Sequence, residues 1–203
     1  MPVKTNEREY RVIRAEAIEV REEQDGRKIV EGYATTFDEE YMLWGDASYK
    51  VMESVDRRAF DQTDMSDVIM QYDHAGKVLA RTSNGSLIVE VNENGLFVAA
   101  DLGRTEAARD LYEDIKSGMV TKMSWRFRTG TYYFDQENRT IVHKTVKKIY
   151  DVAPVSIPAN DDTEINARAW VDGEIAQAAR SEAELEERRR KLRIKISTTL
   201  GGN

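Results

Sequence analysis

Over its first 157 residues the chain alternates apolar and polar side chains in short runs separated by turn residues. The pattern is plainest in Lys122-Met123-Ser124-Trp125-Arg126-Phe127-Arg128, which follows a helix-stop signal at Ser117-Gly118. A strand's period of two sends Ser124, Arg126 and Arg128 to one face and Met123, Trp125 and Phe127 to the other. Similar runs cover 10–20 and 29–37, and the Asp25-Gly26 pair between them predicts a hairpin. Gly32 within the second run marks a bend in the backbone. Residues 38–48 read as a loop, and 57–62 as a short helix capped by Ser54 or Asp56. Strands follow at 67–72, 78–82, 86–91 and 96–102, with turns at Ser83-Asn84-Gly85 and Asn92-Glu93-Asn94-Gly95, so this part reads as an antiparallel meander.

Thr105 is placed to cap a helix over 106–116, with Ala108, Leu111, Tyr112 and Ile115 on one face and Gly118 past its end. Beyond the Ser124 strand, 132–134 and 140–146 form a hairpin, and 149–157 a last strand in which Pro154 implies an edge or a bulge. The alternation ends near residue 168. Residues 172–195 have helical composition with few apolar positions, and Ser181 with Glu184 makes a capping box. The expected architecture is therefore mainly β with peripheral helices (α+β): one domain over 1–168, then a charged, helical C-terminal tail over 169–203, read as targeting or self-removed.

Composition narrows the function classes. The 203 residues carry a net charge of −7, which argues against a general nucleic-acid or membrane-surface binder. No apolar run approaches the roughly 18 residues of a membrane span. The sequence also lacks a secretory pattern at its N-terminus, so a soluble, intracellular protein is expected. With no cysteine, thiolate catalysis, disulfides and Cys-based zinc sites are excluded, and no cofactor or metal is expected. Only His74 and His143 are available for imidazole chemistry.

That scarcity focuses the candidate chemistry. A serine hydroxyl is a weak nucleophile until a general base takes its proton, and the base must be oriented by a third group. Ser124, flanked by same-face cations, and His74, at the end of a strand, supply the first two. Arg126 and Arg128 are candidates for oxyanion support. The same pattern also fits the solvated face of an ordinary sheet.

Several stretches occur in an order that resembles one family. These are Glu31-Gly32-Tyr33-Ala34 with Phe37; Glu53 through Phe60; Gln71-Tyr72-Asp73-His74; Leu79-Ala80-Arg81-Thr82; Gly85-Ser86-Leu87; Gly95-Leu96-Phe97; Gly118 with Ser124-Trp125-Arg126-Phe127; and Tyr150-Asp151-Val152 through Pro158-Ala159-Asn160. Together, over about 10–168, they resemble the prohead (procapsid maturation) proteases of tailed phages, relatives of the herpesvirus assemblin-type serine proteases. Arg58 and Ala80 stand where that family commonly has Gly, and Trp125 where it has Phe.

The resemblance implies a herpesvirus-protease-like closed antiparallel β-barrel and a Ser/His peptidase. His74 falls on the family's histidine block and Ser124 on its nucleophile block. Asp151 is the favoured third member, with His143 the alternative. It further implies a serine endopeptidase in the host cytoplasm, inside the immature capsid, cleaving scaffold or major-capsid-protein segments and itself. A homo-oligomer, dimer or higher, is expected, with no nucleic-acid or membrane partner. The alternative from another class is a catalytically silent barrel acting as a capsid assembly or scaffold module.

Overall fold

The computed structural model describes residues 9–13, 18–45, 50–156 and isolated positions between 180 and 190. Its strands, in chain order, are β1 (Glu9–Ile13), β2 (Glu19–Glu22), β3 (Lys28–Thr36), β4 (Tyr41–Gly45), β5 (Lys50–Val55), β6 (Ile69–Tyr72), β7 (Ala75–Arg81), β8 (Leu87–Val91) and β9 (Gly95–Asp101). Helix α1 (Glu106–Lys116) comes next, followed by β10 (Lys122–Thr129), β11 (Tyr132–Asp135), β12 (Thr140–His143) and β13 (Val146–Val155). A single 3-10 turn, Thr82–Asn84, separates β7 from β8.

These strands form three sheets, ordered β1-β10-β13-β6-β7, β11-β12-β5-β4 and β2-β3-β9-β8. The core lies beneath the apolar face of β10. Met123, Trp125 and Phe127 are buried there as their alternation predicts. Trp125 stacks on Phe127 with centroids 3.9 Å apart and meets the edge of Phe60 at 5.6 Å. Rings this large dominate the burial of apolar area, so they fix β10 and whatever its other face carries. Helix α1 buries Ala108, Leu111, Tyr112 and Ile115, and the Thr105 side chain accepts from the Ala108 N–H at its start, as its pattern predicts.

Several expectations are corrected. None of the three sheets closes, so the described residues form no β-barrel. Closure requires the outer strands of a sheet to pair with each other. Here β1 and β7 end the largest sheet, and the ladder joining β13 to β6 spans only Asp151↔Ile69 and Val152↔Met70. The sheets are also mixed rather than wholly antiparallel as the expected barrel requires, because β13 runs parallel to β6 and β12 parallel to β5, whereas the pairings among β2 to β9 are antiparallel as their pattern predicts. The expected C-terminal helical tail is not among the elements, the last of which is β13. Isolated positions such as Arg180 and Glu184 have helical backbone, and the rest of that segment lies outside the described residues.

Smaller differences have local causes. The run 10–20 contains two strands in different sheets, and only β2 forms the expected hairpin with β3. Residues 38–48 contain β4, which pairs with β5. Residues 57–62 form turns closed by bonds three residues apart, such as Ala59 N–H to Asp56 O at 2.9 Å, although Asp56 does accept from the Arg58 N–H as a cap would. Pro154 sits in an inner strand, not on an edge. Its carbonyl accepts from the Asp73 N–H at 3.1 Å, so the side where its N–H is missing faces the region beyond Val152, where the β6 ladder has ended.

Candidate active site

Register determines which side chains meet. On β10 and β13, Ser124 stands opposite Ala153 and Arg126 opposite Asp151. Directly opposed residues share a face, so the hydroxyl, the guanidinium and the carboxylate lie on the side of the sheet away from Trp125 and Phe127. Both Ser124 and Asp151 are buried.

His74 arrives from β6, the next strand. After Tyr72 the chain reverses in a two-residue turn, Asp73-His74, and Ala75 pairs back with Tyr72. Both turn residues have positive φ, 49° at Asp73 and 56° at His74. A hairpin of this kind matches the twist of its strands when both central residues are left-handed, and Asp and His tolerate that region better than most. The turn swings the imidazole over β13 towards β10.

Three groups meet as a result. His74 Nε2 lies 2.6 Å from Ser124 Oγ, and His74 Nδ1 contacts Asp151 Oδ1. The neutral tautomer that satisfies both contacts carries its proton on Nδ1, donates it to Asp151, and leaves Nε2 to accept from the serine. Asp151 Oδ2 pairs with Arg126 Nε at 3.2 Å, and Arg126 Nη2 donates to the His74 carbonyl oxygen at 3.0 Å. Arg126 thus ties the acid to the backbone of the base. Its side chain is only 13% exposed, so it is not on a freely solvated strand face. Arg128, two residues along, stands opposite Lys148.

His143, the other candidate third member, is elsewhere. It is buried, with Nδ1 2.9 Å from Thr129 Oγ1 and Nε2 2.6 Å from Glu53 Oε1. Glu53 was not legible as its partner, since a carboxylate 90 positions away in the chain gives no local signal.

The hairpin carrying His74 is also held at both ends. At its base Arg81 Nε donates to Asp67 Oδ1 at 2.8 Å, and Arg81 Nη2 contacts Asp67 Oδ2. The paired guanidinium pulls the Asp67 carboxyl down to about 2. At its tip the Asp73 carboxylate accepts from Ser156 N–H at 2.9 Å and Ser156 Oγ at 2.8 Å. Among the described residues no group of three or more His, Asp or Glu side chains is arranged to hold a metal ion, and no helix is long and apolar enough to cross a membrane.

A hydroxyl, an imidazole and a carboxylate in this order are the parts of a serine hydrolase centre. The family model described as caudovirus prohead serine protease matches residues 16–176. The chain belongs to that family, and so to the serine proteases of phage capsid maturation. No curated protein and no solved structure gives a significant match.

Proposed function

We propose that the protein is the endopeptidase that processes scaffold or capsid-protein segments inside the prohead, with Ser124 as nucleophile, His74 as general base and Asp151 as the group that orients it. The observation that carries this reading is the continuous contact chain from Ser124 Oγ through both ring nitrogens of His74 to Asp151. In the acylation step His74 Nε2 takes the Ser124 proton while Oγ attacks the scissile carbonyl carbon. The imidazolium, held by Asp151, then protonates the leaving amine as the C–N bond breaks. A water molecule, activated by the same nitrogen, hydrolyses the ester and restores Ser124.

Arg126 balances the buried Asp151 charge and fixes the His74 carbonyl; engaged in this way it supports the triad rather than an oxyanion. Self-cleavage and a homo-oligomeric assembly belong to the same proposal. The test is to express the protein with and without its capsid protein and follow both by intact-mass spectrometry. Wild type should produce defined fragments and react with a fluorophosphonate at Ser124, whereas a folded Ser124→Ala variant should do neither. Fragments that persist in Ser124→Ala would end the serine-protease assignment for this chain, and a wild type that neither cleaves nor labels would favour a silent assembly module.

A further inference from the structure

We propose that Asp73 is a positioning residue for His74, acting through a clamp on Ser156. The inference rests on the peptidase reading of the site and concerns a residue outside its contact chain. Asp73 and His74 occupy the two central positions of the turn, both left-handed. Such a turn has only its own two strands to hold it, and β6 and β7 pair irregularly just before it, with a register shift between Met70 and Tyr72. Additional contacts are needed to hold the imidazole within the few tenths of an ångström that a 2.6 Å contact to Ser124 demands.

Asp73 provides them on three atoms. Its N–H donates to Pro154 O at 3.1 Å, its Oδ1 accepts from the Ser156 N–H and its Oδ2 from the Ser156 hydroxyl. All three tie the turn to the end of β13, the strand that also carries Asp151. Base and acid are thereby referenced to one rigid strand, with Arg126 closing the circuit on the His74 carbonyl. The side chain of Asp73 therefore has a task distinct from allowing positive φ.

Substitution separates the two roles. Asp73→Gly keeps the left-handed turn available at no steric cost but deletes the carboxylate. Asp73→Asn keeps an acceptor and tolerates the same backbone. The readouts are the second-order rate of fluorophosphonate labelling at Ser124, followed across pH, and the imidazole resonances of the full-length protein. The chain has only two histidines, so His143 serves as an internal control for folding.

Asp73→Gly should label about 10²-fold more slowly at every pH, with His74 resonances displaced and those of His143 unmoved. Asp73→Asn should recover most of the rate. Ser156→Ala, which keeps the N–H contact, should lose about three- to ten-fold, and Asp73→Gly/Ser156→Ala should be no slower than Asp73→Gly alone. An Asp73→Gly protein that labels at the wild-type rate, or that slows with His74 resonances unmoved, overturns the proposal. If Asp73→Gly does not fold, Ser156→Ala decides, and a wild-type rate there overturns it. If wild type itself is not labelled, the peptidase reading fails separately, and unmoved His74 resonances in Asp73→Gly would still refute the clamp.

Discussion

Strand β10 carries two hydroxyl–imidazole–carboxylate relays five residues apart, Ser124–His74–Asp151 and Thr129–His143–Glu53. They use the same parts in opposite order. In the first the hydroxyl meets Nε2 and the carboxylate Nδ1; in the second the hydroxyl meets Nδ1 and the carboxylate Nε2. The first imidazole comes from a turn at the surface and keeps a tenth of its side chain exposed, and an arginine balances its carboxylate. The second comes from a strand, is 2% exposed, and lies against the edge contacts of Phe127 and Tyr132. A relay becomes a candidate for catalysis through access, not through its inventory. Thr129 belongs to the largest sheet and Glu53 to the neighbouring one, so the second relay acts as a staple between sheets.

The sharpest way to break this comparison is to delete each imidazole in turn. His74→Ala should lower peptidase turnover by about 10⁴-fold or more. Its melting temperature should fall less than that of His143→Ala, because the side chain is nine-tenths buried but Asp151 keeps Arg126 as a partner when the imidazole is gone. His143→Ala should do the reverse. Removing one partner of a buried hydrogen-bonded pair costs about 3–5 kcal/mol, which in a chain of this size lowers the melting temperature by about ten degrees. The labelling rate per folded molecule should stay near wild type. Calorimetry and fluorophosphonate kinetics on the same preparations would decide, and a His143→Ala protein that folds well but does not label would erase the distinction.

Arg126, which pairs with the carboxylate of the first relay, offers the next, smaller test. Arg126→Leu removes the guanidinium from the buried Asp151 carboxylate and from the His74 carbonyl, leaving Asp151 its contact to His74 Nδ1. Labelling should fall about 10–100-fold. Arg126→Lys should recover only part of it, because an ammonium cannot address Asp151 and the His74 carbonyl with the same fixed fork. Equal rates for the Lys variant and wild type would mean that charge alone suffices.

Much of the Ser124–His74–Asp151 relay was legible in the sequence, and little of the staple was. The alternation 122–128 announced which side chains oppose Trp125 and Phe127, and with two histidines in the chain the base had few candidates. The missing information was non-local or conformational. Asp73-His74 forms a hairpin turn without the glycine that would announce it. Glu53 reads as part of the lead-in to the expected 57–62 helix, and its burial depends on a histidine 90 residues away. Residues 41–45 are a run of Tyr-Met-Leu-Trp-Gly with no alternation, so their pairing with β5 left no period to read. Barrel closure depended on whether the outer strands pair, and no local pattern carries that.

The smallest effect concerns the base of the hairpin that presents His74, where Asp67 and Arg81 pair across the strands. The Arg81 guanidinium holds the Asp67 carboxyl at about 2, below its ordinary value of 3.8. A carboxylate depressed in the folded state binds its proton more readily in the unfolded chain, so its stabilising contribution is present above pH about 4 and is lost as pH falls towards 2. Both side chains are more than a third exposed, so solvent and salt screen the pair and the contribution is small. Asp67→Asn should leave stability at neutral pH nearly unchanged in high salt and make the profile between pH 4 and 2 slightly flatter. It should not alter the labelling rate, because the tip of the hairpin is held independently through Asp73 and Ser156. An Asp67→Asn protein that labels several-fold more slowly at neutral pH would show that the base of the hairpin, and not its tip, sets the position of His74.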